Sequence, residues 1–95
     1  MSMEDITKKL TEYTLALKEA LETTNQSNER PLLTNHLAAA AEMYAMLHSS
    51  GSAESIHELV KAEVRSHGRS FISGTEGEVL AKKWIAFTNA VGISQ

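Results

Sequence analysis

The chain has 95 residues, of which 42% are hydrophobic and 22% are charged, and it contains no cysteine. This length suits one domain, so residues 1–95 are expected to form a single helical domain. The net charge of −3 argues against broad nucleic-acid binding, and the lack of cysteine excludes disulfides and thiolate-bound metals.

The sequence also bears on where the protein works. No apolar run approaches the roughly 20 residues that cross a membrane, and the N-terminus lacks the apolar segment of a signal peptide. A small secreted domain would usually carry disulfides. We therefore predict a cytoplasmic protein that does not interact with membranes.

The first predicted element is a helix over residues 3–24. Its apolar side chains recur at steps of three or four residues, which is the period of one helix face. They are Ile6, Leu10, Tyr13, Leu17 and Leu21. Residues 23–30 are all polar and predict a loop.

The second predicted helix covers residues 31–48, with Pro31 in its first turn, where a missing N–H costs nothing. Two apolar stripes lie side by side along it. One holds Leu33, Leu37, Ala40, Tyr44 and Leu47, and the other holds Leu32, His36, Ala39, Met43 and Met46. Glu42 is the only acidic residue in this stretch, which has no lysine or arginine, so we expect the helix to be buried on more than one side.

The third predicted helix covers residues 53–67. Gly51 suits the left-handed residue that ends the second helix, and Ser52 suits the N-cap of the third. The positions predicted to face the core are Ile56, Leu59, Val60, Val64 and His67. Gly68 is expected to end this helix, and Phe71 and Ile72 are expected to fill the core from the following loop.

The fourth predicted helix covers residues 76–91. Thr75 and Glu78 form a capping box at its start, and Gly92 is expected to end it. Its core face consists of Leu80, Trp84, Phe87 and Val91. No stretch alternates apolar and polar residues as a strand does, so the predicted fold is all-α, a small four-helix antiparallel bundle. A bundle completed only by dimerisation is the alternative.

Pairs of histidine and glutamate raise the question of a metal site. Glu54 and His57 are three residues apart, and Glu63 and His67 are four apart, so each pair would share one side of a helix. Bundle proteins that bind two iron ions need a Glu-x-x-His motif from each of two helices and two further glutamates. This chain has one such motif. We therefore predict no metal and no cofactor, with these four residues as the candidates to examine.

No catalytic motif is present to indicate an enzyme. The chain has no nucleophile elbow, glycine-rich phosphate loop or His-Glu-x-x-His motif. Lys61 and Arg65 alternate with Glu58 and Glu63, which would repel the phosphates of DNA. The sequence therefore predicts a protein that is not an enzyme and does not bind nucleic acid.

Residues 65–75 are the candidate for a small-ligand site. Arginines, a histidine and hydroxyl groups precede the start of the fourth helix, and such groups favour an anionic or nucleotide ligand. The candidate ligand-binding residues are Arg65, His67, Arg69, Ser73 and Thr75. Glu76 and Glu78 weigh against this site because they would repel a phosphate.

The preferred prediction is that the protein acts by association. The second helix has more apolar surface than one neighbouring helix can cover, and such surface on a small domain indicates self-association or a protein partner. The predicted interface residues are Leu15, Ala39, Met43 and Met46. We accordingly predict an adaptor, regulator or inhibitor that forms a homodimer or higher oligomer, with small-ligand binding as the alternative.

Overall fold

The computed structural model describes residues 3–24, 27–67 and 74–93, with every side chain in these ranges except those of residues 66, 67 and 74–76. The α-helices are α1 (Met3–Thr23), α2 (Glu29–Ser50), α3 (His57–His67) and α4 (Gly74–Val91), and a 3₁₀-helix, Ala53–Ile56, leads into α3. These ranges contain no strand. The prediction of a small all-α helical bundle is confirmed. None of the helices in these ranges has the length and apolar character needed to cross a membrane.

The observed helix ends lie within two residues of the predicted ones when the 3₁₀-helix and α3 are counted together as the predicted third helix. Because α2 begins at Glu29, Pro31 is its third residue and still lies in the first turn, as predicted. Because α4 begins at Gly74, Thr75 lies inside the first turn rather than at the cap. Gly68, Phe71 and Ile72 lie outside the described residues.

The junction between α2 and the 3₁₀-helix has the predicted caps. Gly51 has a φ of 67°, and its N–H donates to the carbonyl of Leu47 at 2.9 Å, which satisfies a carbonyl at the end of α2. The hydroxyl of Ser52 then accepts from the N–H of Glu54 at 3.2 Å. The chain therefore ends one helix and starts the next within two residues.

A glycine also ends α4. Gly92 has a φ of 95°, and the N–H of Ile93 donates to the carbonyl of Thr88 at 2.9 Å. This is the pattern of a Schellman motif, in which the residue after the glycine returns toward the helix. Ile93 is accordingly buried, at 8% exposure.

The centre of the bundle is α1, which packs most extensively against α4 and also against α2. An aromatic cluster joins α1 to α4. The ring centroid of Trp84 lies 5.1 Å from that of Tyr13 and 5.7 Å from that of Phe87. The predicted core face of α4 is confirmed throughout, and that of α1 is confirmed except that Ala20 is buried where Leu21 is half-buried.

The helix α2 departs from its prediction. It buries a single stripe that runs between the two predicted ones and consists of Leu33, His36, Ala40, Met43 and Leu47. On the opposite side Ala38, Ala41 and Ala45 are exposed. Within the chain α2 is therefore buried on one side only, and that side meets α1, the 3₁₀-helix and α3.

The contacts between helix ends show that neighbours run antiparallel. Near the end of α1, Arg30 Nη1 donates to the carbonyl of Leu21 at 3.1 Å. Farther along, the hydroxyls of Tyr44 and Thr11 are hydrogen-bonded, so the pairing continues toward the start of α1. A bond between His57, at the start of α3, and the carbonyl of Val91, at the end of α4, places those two ends together.

Candidate functional site

The four predicted interface residues have different environments. Leu15 is 59% exposed on α1. Ala39 and Met46 are half-buried, and Met43, at 1% exposure, belongs to the core of its own chain. The sequence could not distinguish Met43 from Met46 because both lie on the same apolar stripe, and only the direction of approach of α1 selects between them.

An uncharged surface nevertheless remains on α2. We call Thr34, Ala38, Ala41 and Ala45 the outer face of α2; all of them are exposed. They recur at steps of four, three and four residues, so they follow one side of the helix. Between Arg30 and His48 the helix contains no lysine or arginine and only one acidic residue, Glu42. This surface therefore has little charge to oppose close contact with another apolar surface.

The exposed Leu15 of α1 lies at the same level along the bundle as part of this outer face. Thr11 is hydrogen-bonded to Tyr44, and the two helices are antiparallel. Leu15, one turn after Thr11, therefore stands level with α2 one turn before Tyr44, at residues 38–41. The large apolar side chain and the alanines therefore lie at the same level on two neighbouring helices.

The structure describes the side chains of three of the four metal candidates. Glu54 is exposed on the 3₁₀-helix, whereas Nε2 of His57 is bonded to the carbonyl of Val91 at 2.9 Å. Glu63 interacts electrostatically with Tyr13, away from that histidine, and the side chain of His67 lies outside the described ones. Among the described residues no group of three or more histidine, aspartate or glutamate side chains is arranged to hold a metal ion.

The predicted ligand segment can be followed only at its first residue. Arg69 and Ser73 lie outside the described residues, as do the side chains of His67 and Thr75. Arg65 is exposed and lines a cleft between α3 and the end of α4, which has a volume of about 460 Å³. The structure therefore places Arg65 beside residues that the sequence prediction did not include.

The other residues of this cleft are His57, Lys61, Val64, Gly92 and Ile93. The sequence contained a signal for part of this set, since His57, Lys61 and Arg65 follow one another at every fourth position of one helix. Glu58 and Glu63 lie between these three residues in the sequence and obscured the pattern. In the structure neither Glu58 nor Glu63 lines the cleft.

A second electrostatic cluster lies between α1, α2 and α3. Burial, followed by the negative charge of Glu63, raises the pKa of Tyr13 far above its ordinary value. Burial also raises the pKa of Glu63, with a further contribution from the charge of Glu42. The cluster thus favours a neutral tyrosine and disfavours charge on Glu63, and it offers no cation to bind or orient an anionic ligand.

Comparison with known proteins does not extend this description. A scan against models of protein families finds no match, and searches of curated proteins and of solved structures find none either.

Proposed function

We propose that this protein is a non-enzymatic binding protein that forms a homodimer through the outer face of α2. One observation carries the proposal: Ala38, Ala41 and Ala45 are exposed along a helix that is almost free of charge, with the exposed Leu15 at the same level on α1. In this role the protein acts by association, as an adaptor, regulator or inhibitor of a protein partner.

The geometry of α2 suits packing against a second copy. Its 22 residues extend for about 33 Å. Alanine side chains allow the axes of two helices to approach to about 8 Å, the short end of the usual range. A two-fold axis would bring the same face of each copy together, so one patch supplies both sides of the interface. Leu15 adds the larger apolar area that alanines lack.

The dimer that we propose is a weak one. A stable interface buries roughly 1,200–2,000 Å² in total, and a row of alanines with one leucine supplies less apolar area than most such surfaces. Association should therefore depend on protein concentration. Reversible association suits a regulator, because a partner can then compete for the same face. We place this activity in the cytoplasm, since a small domain without cysteine has no disulfides to stabilise it elsewhere.

The test introduces charge into the outer face. The variant Ala41→Glu should place two carboxylates near each other across the interface and raise the dimer dissociation constant at least tenfold, because each must lose water or repel the other. Sedimentation velocity over a range of concentrations measures this constant. Met43 is not a usable position, since a charge there would unfold the buried core.

The matched control is Ala62→Glu, which makes the same change at an exposed alanine of α3. We expect it to dimerise as the unmodified chain does, with the same helical circular-dichroism spectrum for all three proteins. A chain that stays monomeric at every concentration would refute the proposal, and so would an Ala41→Glu variant that dimerises normally.

A further inference from the structure

The helix α3 presents a row of three basic side chains on one side. His57, Lys61 and Arg65 lie at every fourth position and all three line the 460 Å³ cleft against the end of α4. This volume falls within the range of about 300–1,000 Å³ that is typical of small-ligand pockets. The row therefore borders an open cleft of a size that is comparable with small-ligand sites.

The positive charges of the cleft are available to a ligand. Lys61 Nζ lies 3.6 Å from Glu58 Oε1, but the side chains are 50% and 86% exposed, so this ion pair is weak and easily exchanged. Arg65 has no carboxylate partner among the described residues. Two permanent positive charges thus face one cleft of a chain whose net charge is −3.

The end of α4 forms the other wall of the cleft, and its dipole disfavours an anion, so anion binding there relies on Lys61 and Arg65. Nε2 of His57 donates to the carbonyl of Val91, because a carbonyl oxygen can only accept, and this bond holds the imidazole at the wall of the cleft. The carbonyl of Thr88 accepts from the backbone N–H of Ile93. These oxygens at the negative end of the helix are therefore already hydrogen-bonded within the chain.

The remaining wall is apolar. Ile93 is buried at 8% exposure, and Val64 is half-buried and packs against the core. A bare inorganic anion would leave this wall unused, and a neutral hydrocarbon would leave the cations unpaired. Only a molecule with both an anionic group and an apolar part would contact the cations and the apolar wall together.

We propose that this cleft binds a small amphiphilic anion, with its carboxylate or phosphate group held by Lys61 and Arg65 and its apolar part against Val64 and Ile93. The inference is separate from self-association, because none of these residues belongs to the outer face of α2. Dimer formation and ligand binding can therefore succeed or fail independently.

The experiment is a titration of the ¹⁵N-labelled full chain, followed by amide chemical shifts. Hexanoate and hexyl phosphate are the probes, and their relative affinities distinguish a carboxylate from a phosphate head group. With at least one of them we expect saturable shifts at residues 57–65 and 92–93. Both 1-hexanol and inorganic phosphate should bind at least tenfold more weakly, since each offers only half of the required chemistry.

Three variants assign the binding to individual side chains. Lys61→Gln and Arg65→Gln should each weaken binding about three- to tenfold, as expected for loss of one charged contact at a partly exposed site. Lys18→Gln, which removes one positive charge from the exposed surface of α1, should leave the affinity unchanged. Circular dichroism establishes that each variant is folded.

Several results would overturn the proposal. One is a set of shifts that maps outside the cleft, and another is hexanol or phosphate binding as tightly as the amphiphiles. A third is a loss of affinity in Lys18→Gln equal to that in the cleft variants, which would mean that the ligand responds to net charge alone. Unchanged affinity in both Lys61→Gln and Arg65→Gln would show that these two cations do not bind the ligand.

Discussion

Glu63 lies at a point where three helices change the chemistry of one side chain. It is half-buried on α3, interacts with Tyr13 of α1 and is close enough to Glu42 of α2 for their charges to repel. Burial is the main cause of its raised pKa, and Glu42 adds to it. In sequence Glu63 was notable for its spacing from His67 and as a negative charge between Lys61 and Arg65, and its interaction with α1 depends on tertiary packing.

This environment predicts how stability varies with pH. A raised pKa in the folded protein means that the folded state holds the Glu63 proton more tightly than the unfolded chain does. The contribution of Glu63 is therefore most favourable below the ordinary glutamate pKa of about 4.3 and is lost as the pH rises through the raised folded value. Glu63→Gln should match the unmodified chain near pH 4 and become the more stable protein toward pH 7.

Urea midpoints measured at a series of pH values test this prediction. The exposed Glu19 provides the control, since Glu19→Gln should not reproduce the pH-dependent difference. The interpretation is wrong if Glu63→Gln differs from the unmodified chain by the same amount at every pH.

At the scale of a single element, the ends of α2 and α4 depend on backbone conformations that favour glycine. Gly51 and Gly92 have φ angles of 67° and 95°, and the described residues contain no other type of residue with a positive φ. A Cβ added at Gly51 would meet no neighbouring atom within 4 Å. Any cost of a side chain there must come from the backbone conformation itself.

Gly51→Ala is therefore expected to lower the free energy of unfolding by about 1 kcal/mol, and Gly51→Asn by less, because asparagine tolerates the left-handed region better. Chemical denaturation measures both. Ser49→Ala, at an exposed site in the last turn of α2, should stay within about 0.5 kcal/mol of the unmodified chain. Equal losses of stability in the alanine and asparagine variants would show that the positive φ of residue 51 is not the cause.

At the scale of the whole molecule, the aromatic cluster of Trp84, Tyr13 and Phe87 joins the central helix to α4. Trp84 is 2% exposed, whereas the next residue, Ile85, is 44% exposed. These neighbours in sequence are about 100° apart around the helix axis, so one is buried and the other is exposed. The bundle depends on such positions, because a small domain has only about 5–15 kcal/mol of total stability.

Trp84→Ala should cost about 3–5 kcal/mol through the cavity it leaves, enough to bring the chain close to unfolding at room temperature. Ile85→Ala should cost less than about 1 kcal/mol. Thermal melts followed by far-ultraviolet circular dichroism compare the two variants. Similar melting temperatures would show that Trp84 does not have the central packing role that we assign to it.

How far the sequence predicts this protein differs between helices. On α4 the spacing of Leu80, Trp84, Phe87 and Val91 predicted four buried residues correctly, although Thr88 and Ala90 beside them are buried as well. On α2 apolar residues and alanines occur all round, so periodicity alone could not locate the stripe that faces α1. For the same reason the sequence could not show that Met43, a predicted interface residue, lies in the core.

The sequence by itself determined the helices, their ends and the all-α class, because these follow from local periodicity and from the conformations that Gly51 and Gly92 can adopt. Only the tertiary structure decided that α1 lies at the centre, that alanines form the outer face of α2, and that Arg65 joins His57 and Ile93 around one cleft. Those relationships join residues far apart in the chain, and their geometry depends on how the helices pack.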